Sequence, residues 1–323
     1  MITYPHTIEE FKKMFQSEDD CVRYLFEIRK QTGFVCPACG HGEFWIVNER
    51  LYECRKCHRQ TSAKADTIFH DSKQSLLTWF NAAWLFVTQK NGASAKGIQQ
   101  NLGLRSYQTA WTMLQKLRTA MVRSNRSKLS GTVEVDETYL GGSKTGKRGR
   151  GAAGKTLVAV AVELQAVIPK KGAIIRDNYR KYRLSRVRLQ CITDSSKSSL
   201  HSFIQDNIEP ESVVITDSLS SYNGIEELGY KHERYVVSKA GSPDEELPHV
   251  HLAASLLDRW ILGTLQGGSG KKHLQAYLDE FVFRFNRKTS RHRGLLFYRI
   301  LECAVTSDIV TYRDIVDKCK INI

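Results

Sequence analysis

Two aspartates in this 323-residue chain sit where their chemistry could be used together. Asp136 ends the stretch Thr-Val-Glu-Val-Asp (132–136), and Asp217 ends Ser-Val-Val-Ile-Thr-Asp (212–217). β-Branched residues lead into both, the pattern of a strand that delivers a carboxylate to its exposed end. Two carboxylates on neighbouring strand ends suit a pair of divalent cations, because hard cations take charged oxygen ligands. Such a pair can activate water or a hydroxyl and stabilise a leaving oxygen.

A second set of ligands is formed by Cys36-Pro-Ala-Cys39 and Cys54-Arg-Lys-Cys57, with fourteen residues between the pairs. Each pair offers two thiolates from one tight turn, and the spacing is that of a four-cysteine zinc ribbon. Gly40 and Gly42 would let the chain turn beneath the metal, and 43–47 and 50–53 read as ribbon strands. Two chance pairs or a redox site are the competing readings. A four-thiolate site is closed, so the Zn2+ is expected to be structural. His41 and His58 then read as surface residues or phosphate contacts, since four cysteines complete the tetrahedron.

Around these sites the sequence predicts helices over 7–30, with Thr7 as a cap and Ser17 with Asp20 as a capping box. Residues 74–89 are apolar on most of their surface and read as a buried helix. Residues 93–118 read as a short helix, a turn at Gly103 and a second helix from about Ser106, the layout of a helix-turn-helix. Arg105, Tyr107, Gln108 and Thr112 would face a DNA groove, with Lys116 and Arg118 beside phosphates. A structural helical hairpin is the competing reading.

The formal net charge is +14, which points to a polyanionic partner such as nucleic acid. The basic loop after the Asp136 strand carries Lys147, Arg148 and Arg150, and a second basic segment spans 170–188. Both read as positively charged rims. Gly149–Thr156 matches the phosphate-loop pattern, but it opens a strand rather than a helix, so nucleotide hydrolysis is not expected. No apolar run reaches the ~18–20 residues of a membrane span, and the first residues do not resemble a secretory signal. A cytoplasmic location is expected.

From 130 onward the predicted order is three strands, helix, strand, short helix over 219–228, strand at 234–237, helix. This mixed α/β order fits a ribonuclease H-like sheet, with Asp136 on its first strand and Asp217 on its fourth. His251 and Asp258 fall two turns apart on one face of the following helix, where a third ligand could originate. A further helix spans 271–288; its Glu280 reads as a surface charge.

In combination, the cysteine ribbon, Val-Asp-Glu-Thr-Tyr-Leu-Gly-Gly (135–142), Thr-Asp-Ser-Leu-Ser-Ser-Tyr (216–222), His251-x6-Asp-Arg-Trp-x2-Gly-Thr and the 273–287 helix resemble zinc-ribbon insertion-sequence transposases. These form the IS1595, or ISXO2-like, group of the DDE superfamily. The resemblance implies that Asp136 and Asp217 are the first two catalytic acids and that His251 occupies the third position. It also implies Mg2+ or Mn2+ as catalytic ions and double-stranded DNA, as inverted-repeat ends and target, as substrate. Homo-oligomers acting on paired DNA ends are expected as well. Seven residues after His251 the family usually has a DNA-contacting Lys, whereas this chain has Asp258, followed by Arg259. Asp258 is therefore read as a further carboxylate at the site, and Arg259 as the phosphate contact in place of the Lys.

The expected organisation is N-terminal helices over 1–30, a zinc ribbon over 31–70 and a helix-turn-helix-like DNA-binding region over 71–125. A ribonuclease H-like catalytic domain over 130–300 and a tail over 301–323 follow. The expected function is DNA transposition. A catalytically inactive DNA-binding regulator and a DNA nuclease of the same fold are the alternatives.

Overall fold

Local capping chemistry starts most of the helices. The structure is a computed structural model that describes residues 2–48, 51–123, 126–141, 155–168, 182–235, 247–265 and 271–317. Thr7 accepts from the Glu10 N–H and opens α1 (Ile8–Met14), and Ser17 with Asp20 forms a reciprocal capping box on α2 (Glu18–Thr32). Strands β1 (Phe44–Val47), β2 (Leu51–Cys54) and β3 (Gln60–Ser62) form an antiparallel meander in that order. Ser75, Ser94 and Ser106 then cap α3 (Leu76–Thr88), α4 (Ala95–Asn101) and α5 (Tyr107–Ala120). The turn between α4 and α5 uses Gly103 in the left-handed region, φ 60°.

The meander is held to α2 by buried contacts. Arg29, at the last turn of α2, donates to the carbonyl oxygens of Ser62, Ala63 and Ala65, at 2.6–3.3 Å. The Tyr52 hydroxyl donates to the Phe26 carbonyl at 2.6 Å, and its ring stacks on Phe26 with centroids 3.9 Å apart. The ribbon therefore includes α2 as its platform, a helix that sequence reading set apart from it.

The second unit begins with strands β4 (Thr132–Leu140), β5 (Thr156–Ala166) and β6 (Tyr182–Ile192). There follow α6 (Lys197–Asn207), β7 (Val213–Thr216), two 3-10 turns (Ser220–Tyr222 and Ile225–Leu228) and β8 (Lys231–Arg234). The sheet order is β6-β5-β4-β7-β8. β5 runs antiparallel to both β4 and β6, whereas β7 runs parallel to both β4 and β8. This is the mixed sheet of a ribonuclease H-like fold, as expected. One strand lies earlier than expected: β8 is Lys-His-Glu-Arg rather than 234–237. It is an edge strand with largely exposed side chains, so no apolar alternation marks it.

Each face of the sheet carries its own core. Val133, Val135, Ala159, Ala161 and Val214 pack with Leu200, Phe203 and Ile204 of α6 and with Tyr222. On the opposite face Val158, Val160, Val162, Val187 and Leu189 pack against α7 (Pro248–Leu265) and α8 (Leu274–Phe285). α8 also covers the open edge of β6. Gln275 accepts from the Cys191 N–H and donates to the Leu189 carbonyl, and Asn286 makes the same pair of bonds with Val187. Two side-chain amides thus satisfy backbone groups that would otherwise template aggregation. Glu280 is fully buried rather than a surface charge, and is paired with Arg284 one turn on, at 2.8 Å.

The chain then returns to the first unit. By internal contacts, Met1–Ser124 groups with Arg287–Ile323, and Asn125–Asn286 forms the second unit. In the stretch read from sequence as a tail, α9 (Gly294–Thr306) and α10 (Tyr312–Asp317) are ordered elements of the first unit. Phe297 of α9 sits edge-on or tilted against Phe11, Phe15, Phe80 and Trp84, with centroids 5.3–5.8 Å apart. Gly294 is needed for this docking: a Cβ there would lie 1.6 Å from the Pro5 carbonyl oxygen.

Candidate functional site

The four cysteines converge as their spacing requires. Two similar knuckles bring them together: Gly40 N–H donates to the Cys36 carbonyl and His58 N–H to the Cys54 carbonyl, both at 2.9 Å. Gly40 and His58 occupy the matching left-handed positions, φ 71° and 59°. The sulfurs of Cys36 and Cys57 are 3.5 Å apart, as are those of Cys39 and Cys54, and all four lie within 4.8 Å of one another. A tetrahedron with Zn–S bonds of about 2.3 Å has S···S edges of roughly 3.8 Å, so the set fits a structural Zn2+. His58 stacks on Trp45 and faces Glu53 at 3.3 Å, and His41 faces Glu43 at 3.7 Å.

The carboxylates are arranged by strand register. Parallel pairing sets Glu134 of β4 opposite Ile215 of β7. The paired register ends at Glu134 and Ile215, two residues short of Asp136 and Asp217, and the charges of both acids act on Glu137 and Tyr222, so the two lie near one another. Asp136 pairs across the sheet with Val160 and so falls on the α7 side. Adjacent strands run about 4.8 Å apart, which suits two acids sharing cations. Both are half-buried; Asp136 accepts from the Glu137 N–H at 2.7 Å and Asp217 from the Leu219 N–H at 3.0 Å.

Glu137 joins this pair. Burial pushes its carboxyl up to about 7; the Tyr222 hydroxyl, donating at 2.8 Å, opposes that, and the charges of Asp136 and Asp217 add to it. The Asp217 strand end is itself held from below. Thr216 donates to the Asp217 carbonyl at 2.8 Å, and its hydroxyl lies 2.9 Å from Nε2 of His232.

Helix α7 carries the remaining predicted ligands. It starts at Pro248, whose missing N–H costs nothing at a first helical position. Buried Glu134 accepts from the His249 and Val250 N–H groups, both at 2.9 Å, and its other oxygen is 2.7 Å from His249 Nδ1. Val250, Ala253, Leu257 and Ile261 face the sheet, and His251, half-buried, lies beside that stripe. Asp258 follows two turns later; partial burial raises its carboxyl, and the charge of Lys155 acts in the opposite direction. Arg259 is exposed. Among the described residues, the four cysteines are the only group of three or more potential ligands whose atoms lie within 4.8 Å of one another. Asp136 and the helix that bears His251 are thus on one side of the sheet, without a closed cage of ligands among the described residues.

At the helical pair, Arg105 and Tyr107 are exposed where α5 begins, Tyr107 by 53%. Lys116 and Arg118 are not surface cations. Lys116 donates to the Ile68 carbonyl at 3.1 Å, and Arg118 is buried over the Phe86 ring. Half-buried Lys116 and buried Arg118 thus do not stand beside phosphates as expected. Lys147, Arg148 and Arg150 lie outside the described residues.

Glu134, His249, Glu137 and Tyr222 were not singled out as site residues. Glu134 and Glu137 flank Asp136 in sequence, but their partners are 85 to 116 residues away, beyond what spacing can reveal.

The family comes from comparison with known proteins. Residues 128–286 match the ISXO2-like transposase domain, and residues 16–60 match the transposase zinc-ribbon domain. The chain belongs to the zinc-ribbon transposases of this group. The ribbon match begins at the start of α2, in line with the platform role of that helix. A comparison with curated proteins gives no match.

Proposed function

We propose that this transposase binds the terminal inverted repeats of its insertion sequence and carries out metal-dependent DNA cleavage and strand transfer. The observation that supports this most is the parallel pairing of β4 with β7, the strands that carry the chain to Asp136 and Asp217, together with the reach of both charges to Glu137. Asp136, Asp217 and His251 would hold the divalent ions. The donor set is compatible: carboxylates suit Mg2+ and Mn2+, and an imidazole is better tolerated by Mn2+. Two such ions supply a nucleophilic oxygen and neutralise charge on the leaving oxygen of an in-line displacement.

The protein's own part is positioning. Asp136 and Asp217 fix where the reacting phosphate must sit, and basic residues around them hold the backbone. Arg259 takes the phosphate contact on α7, and Lys155, whose charge reaches Asp258, adds a cation on that side. Arg105 and Tyr107, exposed at the start of α5, are placed to read or anchor the inverted repeat. Assembly on paired ends as a homo-oligomer follows from the need to join two termini. Lys147, Arg148 and Arg150 extend the DNA contact in this reading.

The test is a strand-transfer assay with end-labelled DNA carrying the element's own termini, in Mg2+ and separately in Mn2+. Metal-dependent 3′ nicking and joining by the wild type, lost in Asp136→Ala, is the expected result. Unchanged chemistry in Asp136→Ala would overturn the site. One observation favours a second reading: an acid, Asp258, stands where the resemblance implies a DNA-contacting Lys. A DNA-binding regulator without strand chemistry would retain salt-sensitive binding and show no products in either metal.

A further inference from the structure

The tie between β4 and α7 is more specific than packing requires. Glu134 is 3% exposed, and its two oxygens take three bonds of 2.7–2.9 Å from the first turn of α7: the His249 and Val250 N–H groups and the His249 ring. The remaining ring nitrogen of His249 faces the Tyr182 carbonyl oxygen at 3.3 Å, so the imidazole bridges β4 and β6. A carboxylate at a helix N-terminus is also favoured by the helix dipole.

The placement matters because of what lies on either side. Asp136 is two residues beyond Glu134 on the same face of β4, about 7 Å along the strand. His251 is two residues beyond His249, roughly 3 Å along the helix axis. The rest of the α7 interface, Val250, Ala253, Leu257 and Ile261 over the sheet, is apolar. Apolar burial is non-directional and leaves a helix free to slide or rotate by small amounts. Charge-assisted hydrogen bonds are short and directional, and they fix axial position and rotation.

We infer that Glu134 and His249 are positioning residues that lock helix α7 to strand β4 and so set the placement of His251 against the Asp136–Asp217 pair. The inference rests on the reading of those three residues as the ion-holding set. Neither clamp residue touches the ions or DNA; both act through α7. Residues that orient metal ligands in this indirect way typically change metal affinity by about 10–100-fold when removed.

The experiment is Mn2+ binding to the full-length, zinc-loaded protein without DNA, followed by electron paramagnetic resonance. Glu134→Ala, Glu134→Gln, His249→Ala, Asp136→Ala and Leu278→Ala are compared with wild type, with folding checked by circular dichroism. Leu278 is fully buried in the same core and serves as a control for stability alone. Glu134→Ala and His249→Ala are expected to weaken Mn2+ about tenfold or more. Glu134→Gln keeps an acceptor for the helix N–H groups, so its loss should be smaller, and Leu278→Ala should bind as wild type. If Glu134→Ala does not fold, Glu134→Gln and His249→Ala carry the test. Clamp variants that bind Mn2+ like wild type, while Asp136→Ala does not, would overturn the inference. So would an equal loss in Leu278→Ala, which would make the clamp merely structural. Wild-type Mn2+ binding by Asp136→Ala would instead overturn the underlying site.

Discussion

The ribbon and the carboxylate sheet are both places for cations, but they are built in opposite ways. In the ribbon, each knuckle holds two sulfurs and the short β1–β2 hairpin joins the knuckles, so that all four lie within 4.8 Å. In the sheet, Asp136 and Asp217 are 81 positions apart in sequence, on chain stretches brought together by the parallel pairing of β4 with β7. The ribbon site is closed and soft, which favours permanent zinc and a structural role. On the proposed reading the sheet site would be open and made of hard oxygen ligands, which favours exchangeable ions and substrate access. The difference shows how one chain separates a metal that builds the protein from ions that would do its chemistry.

The largest effect expected from breaking this contrast is at the ribbon. Removing zinc with a strong chelator, or Cys54→Ser, should unfold residues around the knuckles, because structural zinc supplies apparent folding energy on the order of 10 kcal/mol. Zinc content and proteolysis of the 31–62 region would report it, while the α/β unit should keep its melting transition. Next, Asp136→Ala should lower strand cleavage by about a thousandfold or more without lowering zinc content or ribbon stability. A parallel loss of zinc would erase the separation between the two sites.

Phe297→Ala should cost about 3–5 kcal/mol in the first unit, since it empties the centre of the Phe11–Phe15–Phe80–Trp84 cluster. Thermal melts with and without chelator would show whether that aromatic core and the zinc stabilise the unit separately. The smallest effect concerns Asp279 of α8. Burial raises its carboxyl to about 6 from an ordinary 3.8, with a hydrogen bond from Gln275 and the charge of Arg126 opposing. The folded state therefore holds this proton more tightly than the unfolded chain, so the contribution is complete below pH 3.8 and is lost as pH rises through about 6. Asp279→Asn should flatten the fall in melting temperature between pH 4 and 7.

Legibility in the sequence followed the range of the interaction responsible. Cys36, Cys39, Cys54 and Cys57 were readable because their geometry is local, and so were the caps at Thr7 and Ser17. The strands that carry Asp136 and lead to Asp217 were readable from β-branched alternation, but β4 runs on to Leu140, so Asp136 lies at its middle rather than at the expected exposed end. Lys116 and Arg118 were expected beside phosphates, but their contacts are with the Ile68 carbonyl and the Phe86 ring, residues tens of positions earlier in the chain that spacing cannot assign. α9 was read as part of the catalytic region and a tail, since its apolar residues do not say which unit they will pack against.

The sequence alone determined which residue types are offered: four thiolates in two knuckles, acids on or just after two strands, and a helix bearing His251 and Asp258. These depend on residue type and on spacings of a few positions, which covalent geometry transmits directly. Tertiary structure decided the pairing of β4 with β7, the burial of Glu134 under the first turn of α7, the placement of Tyr222 on Glu137 and the return of Phe297 to the N-terminal core. Each of those joins residues separated by tens to hundreds of positions. Only the packed sheet and helices, with their register and directional hydrogen bonds, can choose among the many partners such distances allow.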